Sequence, residues 1–281
     1  MMNVVNSIAA ARQQIGEWRQ AGLRVAFVPT MGNLHEGHLA LVNEAQKLAD
    51  KVVASIFVNP MQFGPNEDYD RYPRTLEQDS AKLSEAGVAL LFAPSLDEIY
   101  PPNSSTCVEI SSVSTGLCGD LRPGHFVGVA TVVAKLFNIV TPDVALFGEK
   151  DYQQLQVIQR MAADLCFPVE VVGVSTVREE NGLAMSSRNG YLSGEEKQKA
   201  ALIYQVLQGA AHQIEGGERG YRQIESAVIE ILAAQGFKPE YFAIRNAETL
   251  APAESGDKQL RILVAAKLGQ TRLIDNMGLC L

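Results

Sequence analysis

The chain has 281 residues, 47% hydrophobic and 20% charged, which suits one large or two modest globular domains with a substantial core. A formal charge of −8 and an isoelectric point of about 5.1 argue against a broad nucleic-acid or anionic-membrane surface, so an anionic substrate needs a local basic pocket. Cys107, Cys118, Cys166 and Cys280 are scattered without a C-x-x-C pair, which suggests neither a zinc knot nor a disulfide framework and fits free thiols in a reducing cytoplasm.

The first twenty residues set Arg12, Glu17, Trp18 and Arg19 among apolar ones and read as an amphipathic helix, not a signal peptide. No apolar run approaches the ~20 residues that span a bilayer. Val25–Val28 reads as a strand, His38–Ala49 as a helix and Val52–Val58 as a second strand. Thr75 with Gln78 predicts a capping box for a helix that ends at Ala86, with Gly87 just past its C-terminus. Val88–Ala93 is a third strand, and Gly128–Val140 a strongly apolar helix stopped by Thr141-Pro142. Strand Val144–Phe147, helix Tyr152–Leu165 and strand Val169–Val174 follow. Strands this apolar, alternating with helices, imply a parallel sheet covered on both faces.

The rhythm changes near Val177–Glu180, where we place a domain boundary. Ser193 with Glu196 predicts a capping box and a helix to Glu215; Gly216-Gly217 breaks it before a second helix, Tyr221–Gln235. Three short strand-like runs close the chain: Tyr241–Ile244, Arg261–Val264 and Arg272–Ile274. Helices first and strands afterwards predict a smaller α+β domain.

Chemistry-bearing residues gather at the ends of the predicted strands. After the first comes Met31-Gly32-Asn33-Leu34-His35-Glu36-Gly37-His38. Its glycine spacing matches neither a dinucleotide loop nor a P-loop; it carries the H-x-G-H signature shared by nucleotidyltransferases and class I tRNA synthetases. Spacing of three puts both imidazoles on one side of a first helical turn, where unpaired N–H groups and the helix dipole favour an anion. Each ring can donate to a phosphate as charge builds on departing pyrophosphate. Two other readings compete: a metal pair, although His125 and His212 lie far off and no further ligands are evident, and simple capping of the helix.

Asn59 and Gln62, in Phe57–Phe63, offer neutral amides for a hydroxyl and a carboxylate. Arg122-Pro-Gly-His125 adds a cation and a further donor. Gly148-Glu149-Lys150-Asp151 leads into a helix with Gln154 one turn along, at the edge where open parallel sheets bind ligands, and Lys150 suits a phosphate. Past the fifth strand, Met185-Ser186-Ser187-Arg188 supplies hydroxyls and a guanidinium on a loop.

Together, Val28–His38, Phe57–Phe63, Tyr72–Thr75, Arg122–Phe126, Gly148–Gln154 and Met185–Asn189 resemble the pantothenate synthetase (pantoate–β-alanine ligase) family. The resemblance implies a Rossmann-like ATP- and pantoate-binding domain over 1–177, a C-terminal lid over 178–281 and a cytoplasmic homodimer. It implies ATP-driven formation of a pantoyl adenylate with release of pyrophosphate, then attack by the β-alanine amine to give pantothenate and AMP. By position, Met31–His38, Gly148–Asp151, Val177 and Met185–Arg188 contact ATP. His38 is the proton donor with His35 beside it, and Lys150 and Arg188 neutralise the phosphates. Gln62 and Gln154 hold pantoate, with Asn59 nearby. Magnesium accompanies ATP; the Glu77-Gln78-Asp79 stretch assigns no protein ligand to it. The same imidazole pair would serve an AMP transferase acting on a phosphorylated acceptor or, without turnover, an ATP sensor; a class I tRNA synthetase would need a basic tRNA-binding region.

Overall fold

A computed structural model describes residues 2–65 and 67–281, and they divide into two compact units. One comprises the residues through Glu149 together with Gln154–Ser175; the other comprises Lys150–Gln153 and Thr176–Leu281, a division that no contiguous boundary expresses.

The first unit begins with β1 (Asn3–Val5) and α1 (Ile8–Gln20), whose N-terminus is capped by the Ser7 hydroxyl accepting the Ala10 N–H. It continues through β2 (Val25–Thr30), α2 (Glu36–Leu48), β3 (Lys51–Ile56), a 3-10 turn at Pro60–Gln62, α3 (Leu76–Glu85) and β4 (Leu90–Phe92). Two four-residue helices, α4 (Leu96–Ile99) and α5 (Cys118–Leu121), precede α6 (His125–Val140) and β5 (Val144–Gly148). After a 3-10 turn at Glu149–Asp151 come α7 (Tyr152–Asp164) and β6 (Glu170–Val174). The six strands form one parallel sheet in the order β1-β4-β3-β2-β5-β6.

The apolar alternation along the strands explains both layers of helices. Ala26, Val28, Val52, Ala54, Leu91, Val144 and Leu146 share one packed cluster with Leu41, Val42 and Ala45 of α2 and Leu83 of α3. The intervening Phe27, Val53, Phe92 and Phe147 are buried as well, with Phe147 edge-on to Phe137 of α6. Each such side chain contributes roughly 2 kcal/mol through burial.

The second unit packs α8 (Gly194–Ala200), α9 (Leu202–Glu215) and α10 (Tyr221–Ala234) with an antiparallel sheet of β7 (Lys238–Asn246), β8 (Gln259–Leu268) and β9 (Thr271–Cys280). Its core includes Ile203, Leu207, Ile224 and Leu232 of the helices and Phe242, Ile262 and Val264 of the sheet.

Four local expectations change. Thr75 precedes α3 but makes no side-chain cap bond; its hydroxyl donates instead to the buried Asp79 carboxylate at 3.0 Å, a charge-assisted bond that outcompetes the cap. Helix α6 starts at His125, three residues early, because Gly124 at φ +81° ends the preceding turn. The helix expected over Ser193–Glu215 divides at Ala201, although the Ser193–Glu196 capping box forms. The three closing strands run to 9, 10 and 10 residues. Among the described residues no helix is long and apolar enough to cross a membrane, and the four cysteines are free thiols.

Candidate active site

The strand order reverses direction between β2 and β5, so a ligand crevice is favoured outside their carboxyl ends. Met31–His35 leaves β2 there and Gly148–Glu149 ends β5 there. The β2 loop bends through two left-handed residues, Gly32 at φ +84° and Asn33 at φ +52°. A side chain at Gly32 would meet the Asp79 Oδ2 at 3.1 Å and the Ile56 Cγ2 at 3.2 Å, so only glycine fits there without a shift. This bend aims two successive N–H groups, from Asn33 and Leu34, at the carboxylate of Asp79, each at 2.8 Å. Asp79 is 1% exposed, and Lys82, one turn along α3, donates to the Leu34 carbonyl at 2.6 Å. Both α3 side chains therefore hold the loop that introduces the histidines.

His35 is the N-cap of α2: its Nδ1 accepts the Gly37 N–H at 3.1 Å, and the His38 Nδ1 accepts the His35 N–H at 3.3 Å. The two form a capping box built from imidazoles, with ring centroids 4.2 Å apart. An Nδ1 that accepts carries no proton, so both neutral rings bear theirs on Nε2. Most amides of this segment have partners within the protein. Gly32 donates to the Thr30 hydroxyl, Asn33 and Leu34 to Asp79, and the amides of His35, Gly37, His38 and Leu39 within the helix start. Both imidazoles thus stand on a capped helix end.

At the end of β3, Asn59 is 1% exposed. Its Nδ2 donates to the Gln62 Oε1 at 3.2 Å and the Gly128 carbonyl at 3.0 Å. Its Oδ1 accepts the Met61 N–H at 3.3 Å and the Tyr100 hydroxyl at 3.0 Å. Both N–H bonds and both lone pairs of that amide are thus used. Asn59, expected from the sequence to contact substrate, holds the Gln62 amide through its Nδ2 bond. The Gln62 Nε2 donates to the Met31 sulfur at 3.1 Å, a weak acceptor that a substrate oxygen would readily replace. Burial pushes the Tyr100 hydroxyl up to about 12, so it stays a donor to Asn59.

The remaining candidates fall in both units. Glu149 closes on Gly173 of β6, where a side chain would meet its Cγ at 3.2 Å. Gln154 is half-buried in the first turn of α7. Within the second unit, the Lys150 Nζ lies 4.0 Å from the Asp151 carboxylate, and the Lys150 carbonyl accepts from Asn276 of β9 at 2.8 Å. Val177 and Met185 pair across a short antiparallel turn through the Met185 N–H at 2.9 Å. Ser186 caps the 3-10 turn Ser187–Tyr191 by accepting the Arg188 N–H at 3.3 Å. Asn189, 5% exposed, ties that turn to Glu179 and the Ala184 carbonyl, while Arg178 forms a two-pronged ion pair with the buried Asp275. Sequence reasoning passed over Asp79 and Asn189 without giving them a role and missed Tyr100 and the Arg178–Asp275 pair. A carboxylate inside an otherwise amphipathic helix was the available signal for Asp79.

Comparison with known proteins identifies the family. The profile described as pantoate-beta-alanine ligase matches residues 3–278. Pantothenate synthetases from Alcanivorax borkumensis and Shewanella loihica are 55% and 57% identical over 279 residues, covering 99% of this chain and 98% and 99% of theirs. The crystal structure of pantothenate synthetase from Thermus thermophilus superposes with a TM-score of 0.91 at 50% identity, covering 98% of this chain and 99% of that one. That of pantoate-beta-alanine ligase from Francisella tularensis, complexed with beta-gamma ATP and beta-alanine, gives 0.81 at 33% identity, over 99% and 97%. With a profile spanning nearly its whole length, relatives this similar and the same parallel sheet beneath the H-x-G-H helix, the chain belongs to the pantoate–β-alanine ligase family.

Proposed function

We propose that the protein makes pantothenate through an acyl adenylate. A pantoate carboxylate oxygen attacks the α-phosphorus of ATP, the bond to the bridging oxygen breaks and pyrophosphate leaves. The β-alanine amine then attacks the acyl carbon, AMP leaves, and the nitrogen gives up a proton to solvent. A free carboxylate is a poor acyl donor, and the H-x-G-H pair suits nucleotidyl transfer better than an acyl-enzyme route. Activation by ATP is the consistent path.

The observation that carries this reading is the pair of Nε2–H imidazoles fixed on the start of α2. A neutral His38 that gave its proton away entirely would become imidazolate, so its part is a hydrogen bond that strengthens as charge grows on the departing pyrophosphate. His35 lies beside it. In this reading Met31–His38, Gly148–Asp151, Val177 and Met185–Arg188 bind ATP, with Lys150 and Arg188 supplying positive charge to the phosphates. Gln62 and Gln154 bind pantoate. ATP enters as its magnesium complex; among the described residues no group of three or more His, Cys, Asp or Glu could hold a metal, and the Asp79 oxygens are already committed to Asn33, Leu34 and Thr75. We assign the working form as a cytoplasmic homodimer.

The test is product analysis with ATP, magnesium, pantoate and β-alanine. AMP should form only when both acids are present, and labelled pyrophosphate should exchange into ATP with pantoate alone. Formation of ADP and phosphate would replace the adenylate with an acyl phosphate and overturn the reading.

A further inference from the structure

Arg122 and His125 entered as a cation and a proton donor available to substrate; the geometry commits them elsewhere. Arg122 makes a two-pronged pair with Glu67, Nε to Oε1 and Nη2 to Oε2, both at 2.6 Å. Its Nη2 also reaches the main-chain carbonyl of Gln62 at 3.2 Å, and its Nη1 lies 2.9 Å from the His125 Nε2. Guanidinium only donates, so that Nε2 accepts and the proton of neutral His125 sits on Nδ1. The Nδ1 lies 2.8 Å from the same Gln62 carbonyl and donates to it. Gly124 at φ +81° makes the turn that sends both side chains to one oxygen. The preceding peptide, between Met61 and Gln62, is hemmed in as well: a Cβ on Gly128 of α6 would fall 2.3 Å from the Met61 oxygen and 2.7 Å from the Gln62 nitrogen.

We propose that Glu67, Arg122 and His125 are positioning residues that fix Gln62 through its main-chain carbonyl, and so set the affinity for the acid substrate that its amide binds. This rests on the assignment of Gln62 to pantoate made above. The guanidinium is neutralised by Glu67, so the cluster acts on substrate through Gln62 and not as an anion trap. Asn59 governs the Gln62 side chain, and the Glu67–Arg122–His125 relay governs its backbone.

The experiment is a double-mutant cycle in the full-length protein, read as KM for pantoate at saturating ATP and β-alanine, with melting temperature measured alongside. H125A should raise KM for pantoate about tenfold, with kcat and KM for ATP within about twofold, as expected for loss of one hydrogen bond. H125N, whose amide nitrogen can occupy the Nδ1 position, should restore it. In a Q62A background, H125A should add less than about a twofold change. An unchanged pantoate KM in H125A, with Q62A raising it, overturns the relay and leaves the Gln62 assignment standing. A full tenfold effect of H125A in the Q62A background also overturns it, because His125 would then act without Gln62. An unchanged pantoate KM in Q62A overturns both. E67Q, which keeps the side-chain length, is read by the same outcomes if H125A does not fold.

Discussion

The Nδ1 of His38 accepts the backbone N–H of His35 at 3.3 Å, so one imidazole both closes the start of α2 and has its tautomer set by doing so. Capping and chemistry can therefore be separated by substitution. His38→Ala should lower turnover on the order of 10²–10³-fold, the effect of losing one preorganised donor. His38→Asn places an oxygen where Nδ1 stood and should recover the cap, worth about 1 kcal/mol, without recovering turnover. Pyrophosphate exchange and chemical unfolding on both variants check this; near-normal exchange in His38→Ala would remove the residue from the mechanism.

Asp79 holds Asn33, Leu34 and Thr75 from a fully buried position. Asp79→Ala strands two loop amides and should cost about 3 kcal/mol in urea unfolding. Because the same loop delivers the histidines, kcat should fall as well. A loss of stability below about 0.5 kcal/mol would show that the loop holds its shape without the carboxylate.

Gln154→Ala and Asn59→Ala should differ in kind. The first removes a group assigned to pantoate and should raise its KM about tenfold with an unchanged melting temperature. The second removes four hydrogen bonds from a residue 1% exposed and should lower both the melting temperature and pantoate affinity. Equal melting temperatures for the two variants would contradict the positioning role of Asn59.

Glu67 carries a pH signature. Burial alone would raise its pKa, but the hydrogen bonds and charge of Arg122, with a backbone N–H from Gly64, together bring it below the ordinary 4.5. The lowered value means that the pair stabilises the fold above pH 4.5, and that this contribution is lost as pH falls through the folded-state pKa. The stability difference between wild type and Glu67→Gln should be full near pH 7 and shrink toward about pH 3. A difference that grows on acidification would be the wrong sign.

In the second unit, Arg178 pairs with Asp275, whose side chain is 3% exposed, and stacks on Tyr204 at 3.8 Å. Arg178→Met leaves that carboxylate without its cation and should destabilise by roughly 3–5 kcal/mol, whereas Arg178→Met with Asp275→Leu should recover most of the loss. Hydrogen exchange across β9 reads both; an additive double variant would refute the coupling.

Periodicity made five of the six strands of the parallel sheet legible, because runs such as β2, β3 and β5 are continuously apolar. Asn3–Val5 escaped because three residues carry no period, and α4 and α5 because four residues make barely one turn. The closing strands looked short because polar and small residues such as Lys267, Asn276 and Gly278 interrupt their patterns, while cross-strand pairing extends them. The H-x-G-H pair announced a histidine-bearing helix start. Its spacing did not reveal that the rings also cap that helix, since which nitrogen accepts depends on a loop folded by Asp79, over forty positions downstream. Asn59 illustrates the same limit: an amide at a strand end reads alike whether it meets a ligand or four protein groups.

Gly128 leaves no room between α6 and the turn that bears Gln62. A displacement of that helix along its length must drag the turn with it, so distant substitutions that shift α6 should be felt as altered acid selectivity. Breeding a variant for bulkier hydroxy acids is then better begun elsewhere than at this crossing, where one added methyl already collides with main chain.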